Sequence, residues 1–97
     1  MHFVVTAYDY TDEEAIIRRL DNRDAHLNGL EKISKEGIFK SGGAILDKNG
    51  KMVGSSVHVE FPNIDLLNEW LNNDPYMIGK VWEKIEVQEV KLFKPEI

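Results

Sequence analysis

The chain opens on a segment, Met1 to Tyr10, in which both alternating residue sets are largely apolar: Phe3, Val5 and Ala7 on one parity, Val4 and Tyr8 on the other. β-branched and aromatic residues in this pattern read as a strand. A strand apolar on both faces is central in its sheet, or its second face is covered by something else. This constraint limits every later choice of architecture.

A helical stretch follows. Thr11 with Glu14 matches the S/T-x-x-E capping box, and Asp12, Glu13 and Glu14 suit the positive end of a helix. Ile16, Ile17, Leu20, Leu27, Leu30 and Ile33 recur at helical spacing, but the stripe lapses at Asp21-Asn22-Arg23-Asp24, which are cap and turn formers. The pattern predicts a short helix to about Leu20 and a main helix from about Arg23, with one continuous helix as the alternative. Lys32, Lys35 and a left-handed Gly37 mark its end. Residues 38–46 and 52–61 flank Asp47-Lys48-Asn49-Gly50-Lys51, a strong hairpin signal. In the second strand Val57, Val59 and Phe61 face one way and Ser56, His58 and Glu60 the other. Pro62 stops that strand. Asn63 then caps a helix carrying Ile64, Leu66, Leu67, Trp70 and Leu71. Asp74-Pro75 starts a short helix closed by Gly79. Residues 81–93 form the last strand, and a parity slip between Val87 and Val90 predicts a bulge or a strand buried unevenly on its two faces.

The order is β-α-β-β-α-β over one domain, residues 1–97. It predicts an α+β, ferredoxin-like antiparallel sheet with helices on one face only. The bare face would then carry apolar side chains of the first strand, which predicts a homodimer packed sheet to sheet.

Composition narrows the chemistry. With 12 Lys+Arg against 17 Asp+Glu the formal charge is −5, which argues against binding nucleic acid or an anionic membrane. The chain has no cysteine, so disulfides, thiolate metal sites and cysteine nucleophiles are excluded. No apolar run approaches the roughly 20 residues that span a bilayer, and the N-terminus lacks a signal-peptide pattern. A cytoplasmic protein is the expectation. Nucleotide-binding and hydrolase motifs such as G-x-G-x-x-G and G-x-S-x-G are absent. Gly42-Gly43 and Gly54 read as hairpin bends and close backbone contacts.

Among the three histidines, His2 reads as a solvated strand residue. His58 and Glu60 share the polar face of their strand, but two ligands do not make a metal site, and no metal or cofactor is expected. His26 falls near the start of the main helix. Histidine is the usual general acid or base near neutrality, and it needs an orienting carboxylate. Asp74 is a candidate: it caps a helix with one oxygen and can offer the other to an imidazole.

The strand ending in Tyr8, Arg23-Asp24-Ala25-His26-Leu27 (an R-x-x-H-L), Gly42-Gly43, Gly54-Ser55-Ser56 and Asp74-Pro75-Tyr76 (a D-P-Y) together resemble the YciI-like (YCII domain) family over nearly the whole chain. The resemblance implies a dimeric α+β barrel fold and a pocket whose catalytic pair is His26 and Asp74. It suggests a substrate-anion or structural role for Arg23. Where the family often has Pro or a small residue, this chain has Asp24, a rival partner for His26. One relative acts as a dehydrochlorinase in chloroaromatic breakdown.

The expected function is proton-transfer catalysis on a small molecule, an elimination or isomerisation. His26 is the general base, with Asp74 holding its tautomer. Tyr8 and Ser55 or Ser56 donate to a developing oxyanion, Arg23 docks a substrate carboxylate, and Tyr76 completes the substrate site. The alternatives are a non-catalytic small-molecule binding or dimeric interaction module and, by fold analogy, a cofactor-free oxygenase.

Overall fold

The computed structural model describes residues 1–95. The elements follow the expected order: β1 (His2–Asp9), α1 (Ala15–Lys35), β2 (Phe39–Leu46), β3 (Met52–Glu60), α2 (Ile64–Asn73), α3 (Pro75–Ile78) and β4 (Trp82–Val90). The strands form one antiparallel sheet in the order β2-β3-β1-β4, a ferredoxin-like α+β arrangement with β1 in the interior, as its apolar sequence requires. Among the described residues no helix is long and apolar enough to cross a membrane.

The core lies between the sheet and the helices. Phe3, Val5 and Ala7 of β1 and Val57 and Val59 of β3 are buried against Ile33, Leu67, Leu71, Tyr76 and Val81. The two hairpin strands meet at a turn in which Asp47 Oδ1 accepts from the backbone N–H of Asn49 and Lys51, and Gly50 takes φ 82°. Gly54 is demanded by packing: a Cβ there would collide with the Ala7 carbonyl oxygen on the neighbouring strand. Asn63 caps α2 by accepting from the Leu66 N–H at 2.9 Å, and Asp74 caps α3 in front of Pro75, both as the sequence predicts.

Helix α1 departs from expectation in three ways. It does not break at Asp21–Asp24 but runs unbroken for 21 residues. The propensity cost of Asp and Asn inside a helix is only about 0.7 kcal/mol each, and tertiary contacts on either side of the segment outweigh it. Asn22 also returns its side-chain amide to the Arg18 carbonyl at 2.8 Å. The Thr11–Glu14 capping box is not formed: Ala15 begins the helix, and Glu14 at the cap makes no side-chain bond. Asp12 instead receives both Nη atoms of Arg18 at 2.7 Å. Finally, the buried stripe is Ala15, Arg19, His26 and Ile33, while Ile17 and Leu20 are more than half exposed. The apolar periodicity thus marks the buried face at Leu30 and Ile33 but misses it at Ile17 and Leu20, where the inward positions carry charged groups.

Strand β4 ends at Val90, not Phe93, and its register against β1 is regular from Ile85 to Val90. The predicted bulge is absent there; the register shifts between Tyr8 and Asp9, opposite Lys84 and Trp82. The uncovered sheet face is also less apolar than β1 alone suggests. Val4, Tyr8, Ile45 and Val90 share it with Thr6, Ser56, His58, Lys84, Glu86 and Gln88. On that face Ser41 Oγ lies 2.9 Å from His58 Nδ1. His2 is not simply solvated: its Nδ1 accepts from the Leu92 N–H at 3.2 Å, and its Nε2 is 3.5 Å from Glu60.

The exposed Arg18–Asp12 pair gives a direct prediction. The Arg18 hydrogen bonds hold the Asp12 carboxyl well below its ordinary 3.8, at about 2. A depressed folded value contributes stability above the unfolded value and loses it as pH falls through the folded one. Side-chain carboxyl NMR titration should therefore place Asp12 near 2, and Arg18→Gln should return it toward 3.8. An Asp12 midpoint near 3.8 in the unmodified chain would contradict the pairing.

Candidate active site

His26 lies halfway along α1 on its buried face and is 4% exposed. Its Nδ1 is 2.8 Å from Oδ2 of Asp74, a residue 48 positions away that is equally buried. The contact follows from local structure. Asp74 ends α2 and caps α3, so its carboxylate is pinned by accepting the Tyr76 N–H at 2.9 Å. The same oxygen, Oδ2, takes both bonds; the expectation of one oxygen for each partner is corrected. Asp24, the rival partner, is exposed and makes no hydrogen bond to the ring.

The imidazole is held on its other sides by aromatic rings. Tyr76 stacks on it at 3.9 Å between centroids and 10° between planes, and Trp82 meets it edge-on at 5.5 Å. A carboxylate can only accept, so with Asp74 ionised the shared proton sits on Nδ1, and a neutral imidazole keeps an unprotonated Nε2. Nε2 has no hydrogen-bond partner among the described residues. His26 lines a cleft of about 380 Å³ between α1 and the β2–β3 hairpin.

The walls of that cleft include Arg23, Ser55 and Tyr76 beside the apolar Leu30, Phe39 and Val57. Five of the residues selected from the sequence therefore gather here: His26, Arg23, Ser55 and Tyr76 on the walls, Asp74 behind the ring. Tyr8 and Ser56 do not line it, since they take the opposite sheet parity, facing away from the helices. A larger hollow of about 580 Å³ opens between α1 and α2; Asp74 reaches its wall beside Ile33, Phe61 and Trp70, but it has no histidine. Among the described residues no three His, Asp or Glu side chains converge as a metal site would need.

Sequence reasoning missed the charged pair beneath the cleft. Arg19 is 2% exposed and Asp9 8%. Nη1 of Arg19 lies 2.9 Å from both Asp9 oxygens, while Nη2 donates to the Gly54 carbonyl and to Ser55 Oγ, each at 3.0 Å. The Arg19 Nε is buried without a partner. Its guanidinium carbon stands 4.9 Å from the Tyr76 ring centroid. Burial pushes the Asp9 carboxyl above its ordinary value, with the Arg19 hydrogen bond and charge acting against it. Burial likewise raises the Tyr76 phenol, so this ring stays neutral beside His26. Two signals were available. Arg19, Arg23 and His26 are four and seven residues apart, the spacing of one helix face, and Asp9 continues the core parity of Phe3, Val5 and Ala7.

Known proteins are similar in sequence and fold over almost the whole chain. The sequence is 31% identical to Protein YciI of Escherichia coli O6:H1, covering 94% of this chain and 97% of the relative. It is 29% identical, with the same coverage, to an uncharacterised protein of Haemophilus influenzae. Among solved structures it is similar to 5-chloro-2-hydroxyhydroquinone dehydrochlorinase (TftG) of Burkholderia phenoliruptrix AC1100, in complex with 2,5-dihydroxybenzoquinone. That match has TM-score 0.81, 25% identity and coverage of 94% of both chains. The model of the YCII-related domain matches residues 1–91, so the chain, with its buried imidazole and carboxylate on a ferredoxin-like sheet, belongs to the YCII-related family.

Proposed function

We propose that the cleft is the active site of a small-molecule lyase or isomerase, with His26 as general base and Asp74 as the group that fixes its tautomer and stabilises the imidazolium. The observation that carries this reading is the 2.8 Å contact between two side chains that are each about 95% buried. Removing an ionisable pair from water is costly unless the partners hydrogen-bond to each other, and this pair does so at the wall of a cleft. The pair leaves one basic nitrogen at the wall of a cleft, which suits removal of a proton beside a carbonyl or a leaving group.

The similarity to a dehydrochlorinase supports elimination of chloride from a hydroxylated ring as the reaction class. In such a step His26 Nε2 takes a proton from the substrate, the electron pair forms the new π bond, and chloride departs. Ser55 and Arg23 face the ligand, the first as a hydrogen-bond donor and the second as a cation for an oxygen anion. With a formal charge of −5, the partner is a small molecule and not nucleic acid or an anionic membrane.

The test is chloride release from chlorinated hydroquinones and hydroxyquinones with wild-type protein. Release above the rate in buffer is expected; its absence across the panel would leave a binding module as the function.

The sheet face opposite the helices supports a homodimer, packed over Val4, Tyr8, Ile45 and Val90. Sedimentation at micromolar concentration should give twice the chain mass. A clean monomer contradicts the pairing, and Tyr8→Glu, which puts a charge into that face, should shift the equilibrium toward monomer.

A further inference from the structure

The hydroxyl of Ser55 is surrounded by donors. Its oxygen lies 3.0 Å from Nη2 of Arg19 and 3.1 Å from Nε1 of Trp82, and both of these groups can only donate. A hydroxyl oxygen has two acceptor positions and one proton. Here both acceptor positions are filled, so the proton is all that Ser55 has left to offer. No acceptor for that proton exists among the described residues, and Ser55, 4% exposed, lines the cleft with His26.

Arg19 cannot serve a ligand directly through these atoms. Nη1 is committed to both oxygens of Asp9, and Nη2 is shared between the Gly54 carbonyl and Ser55. What the guanidinium does is place a positive charge against the Ser55 oxygen, which strengthens its O–H as a donor. Trp82 is held in turn by edge contacts with His26 and Tyr76, so both donors to Ser55 stand on buried, packed groups.

We infer that Arg19 and Trp82 are positioning residues that make Ser55 an obligate donor, so that the occupant of the cleft presents an acceptor oxygen to Ser55, a carbonyl or, favoured by the neighbouring guanidinium groups, a phenolate or enolate. This rests on the cleft being the ligand site proposed above and deepens it by naming the polarity of the ligand. Ser55 cannot turn to accept from a ligand N–H or O–H, because a third donor would meet an oxygen with no free lone pair. Amines and neutral amides bound through their N–H groups are therefore excluded at this point, while an oxygen anion is favoured and gains further from Arg23 at the cleft wall.

The test is equilibrium titration of the intact protein with 2,5-dihydroxybenzoquinone, whose ionised oxygens are of the required kind. Ser55→Ala should weaken binding by roughly 10- to 100-fold, the worth of a hydrogen bond to a charged acceptor. Ser55→Thr, which keeps the hydroxyl, should retain most of the affinity. Trp82→Phe keeps a ring and removes only the N–H. It should weaken binding by roughly 1.5- to 4-fold in the otherwise unchanged protein, and by nothing further in the Ser55→Ala background. An equal loss in both backgrounds would show Trp82 acting through packing and overturn the assignment. Full affinity in Ser55→Ala, with binding lost in His26→Gln, overturns it while leaving the proposed function standing. Failure of the wild-type protein to bind the quinone at millimolar concentration overturns both.

Discussion

His26→Gln is expected to lower kcat/KM for an eliminable chlorinated hydroquinone by roughly 10²- to 10⁴-fold, the usual worth of a positioned general base. Glutamine approximates the volume of imidazole, so the fold should survive, as circular dichroism would verify, while the imidazole base is lost from the cleft wall. Asp74→Asn should behave differently. Because one oxygen of Asp74 accepts both from Tyr76 N and from the imidazole, an asparagine with its carbonyl in that place keeps both bonds and the same tautomer. It loses only the charge, which strengthens a hydrogen bond by about 1.4 kcal/mol or tenfold. The expected order is thus a large loss for His26→Gln and a loss of about tenfold for Asp74→Asn. Wild-type kcat/KM in His26→Gln would remove the imidazole from the mechanism.

The second large effect concerns stability. Arg19→Met should destabilise the protein by about 3–5 kcal/mol, because it strands the Asp9 carboxylate in a site where the pair is more than 90% buried. Domains have about 5–15 kcal/mol in total, so this single change removes a large share. Adding Asp9→Leu to Arg19→Met should recover much of the loss, since an apolar pair has no stranded charge. Urea unfolding of the three proteins measures both statements. A loss under 1 kcal/mol for Arg19→Met alone would mean that water reaches Asp9 and that the pair is not the buried support of Ser55 described above. The two effects separate the layers of the site: His26 acts on the ligand, and Arg19 holds the floor beneath it.

Much of the fold was legible because its signals are local. The alternation of β3, the Asn63 and Asp74 caps and the Asn49-Gly50 turn all depend on residues within a few positions of one another. Helix α1 was misread for the converse reason. Leucine and isoleucine at helical spacing normally mark the buried face, but here Ile17 and Leu20 are more than half exposed, while Arg19 and His26 are inside. The polar residues are buried because Asp9, Ser55 and Asp74, distant in the chain, arrive to satisfy them. No local pattern reports those arrivals.

The candidate site divides in the same way. His26, Asp74, Ser55, Tyr76 and Arg23 were all selected from the sequence, as residue types able to move a proton or hold an anion. Which of them share a cleft was a matter of tertiary structure alone: β1 and β3 parity separates Ser55 from Ser56 and turns Tyr8 away.

By itself, the order of amino acids determined the antiparallel α+β topology, through one doubly apolar strand, a hairpin turn and well-placed caps. Only the folded chain decided that Asp74 and not Asp24 reaches His26, and that a buried Arg19 and Trp82 turn Ser55 toward the cleft. The physical reason is range. Backbone preference and alternation act over a few residues, whereas the pairing of buried charges is set by whichever groups the packing excludes from water together.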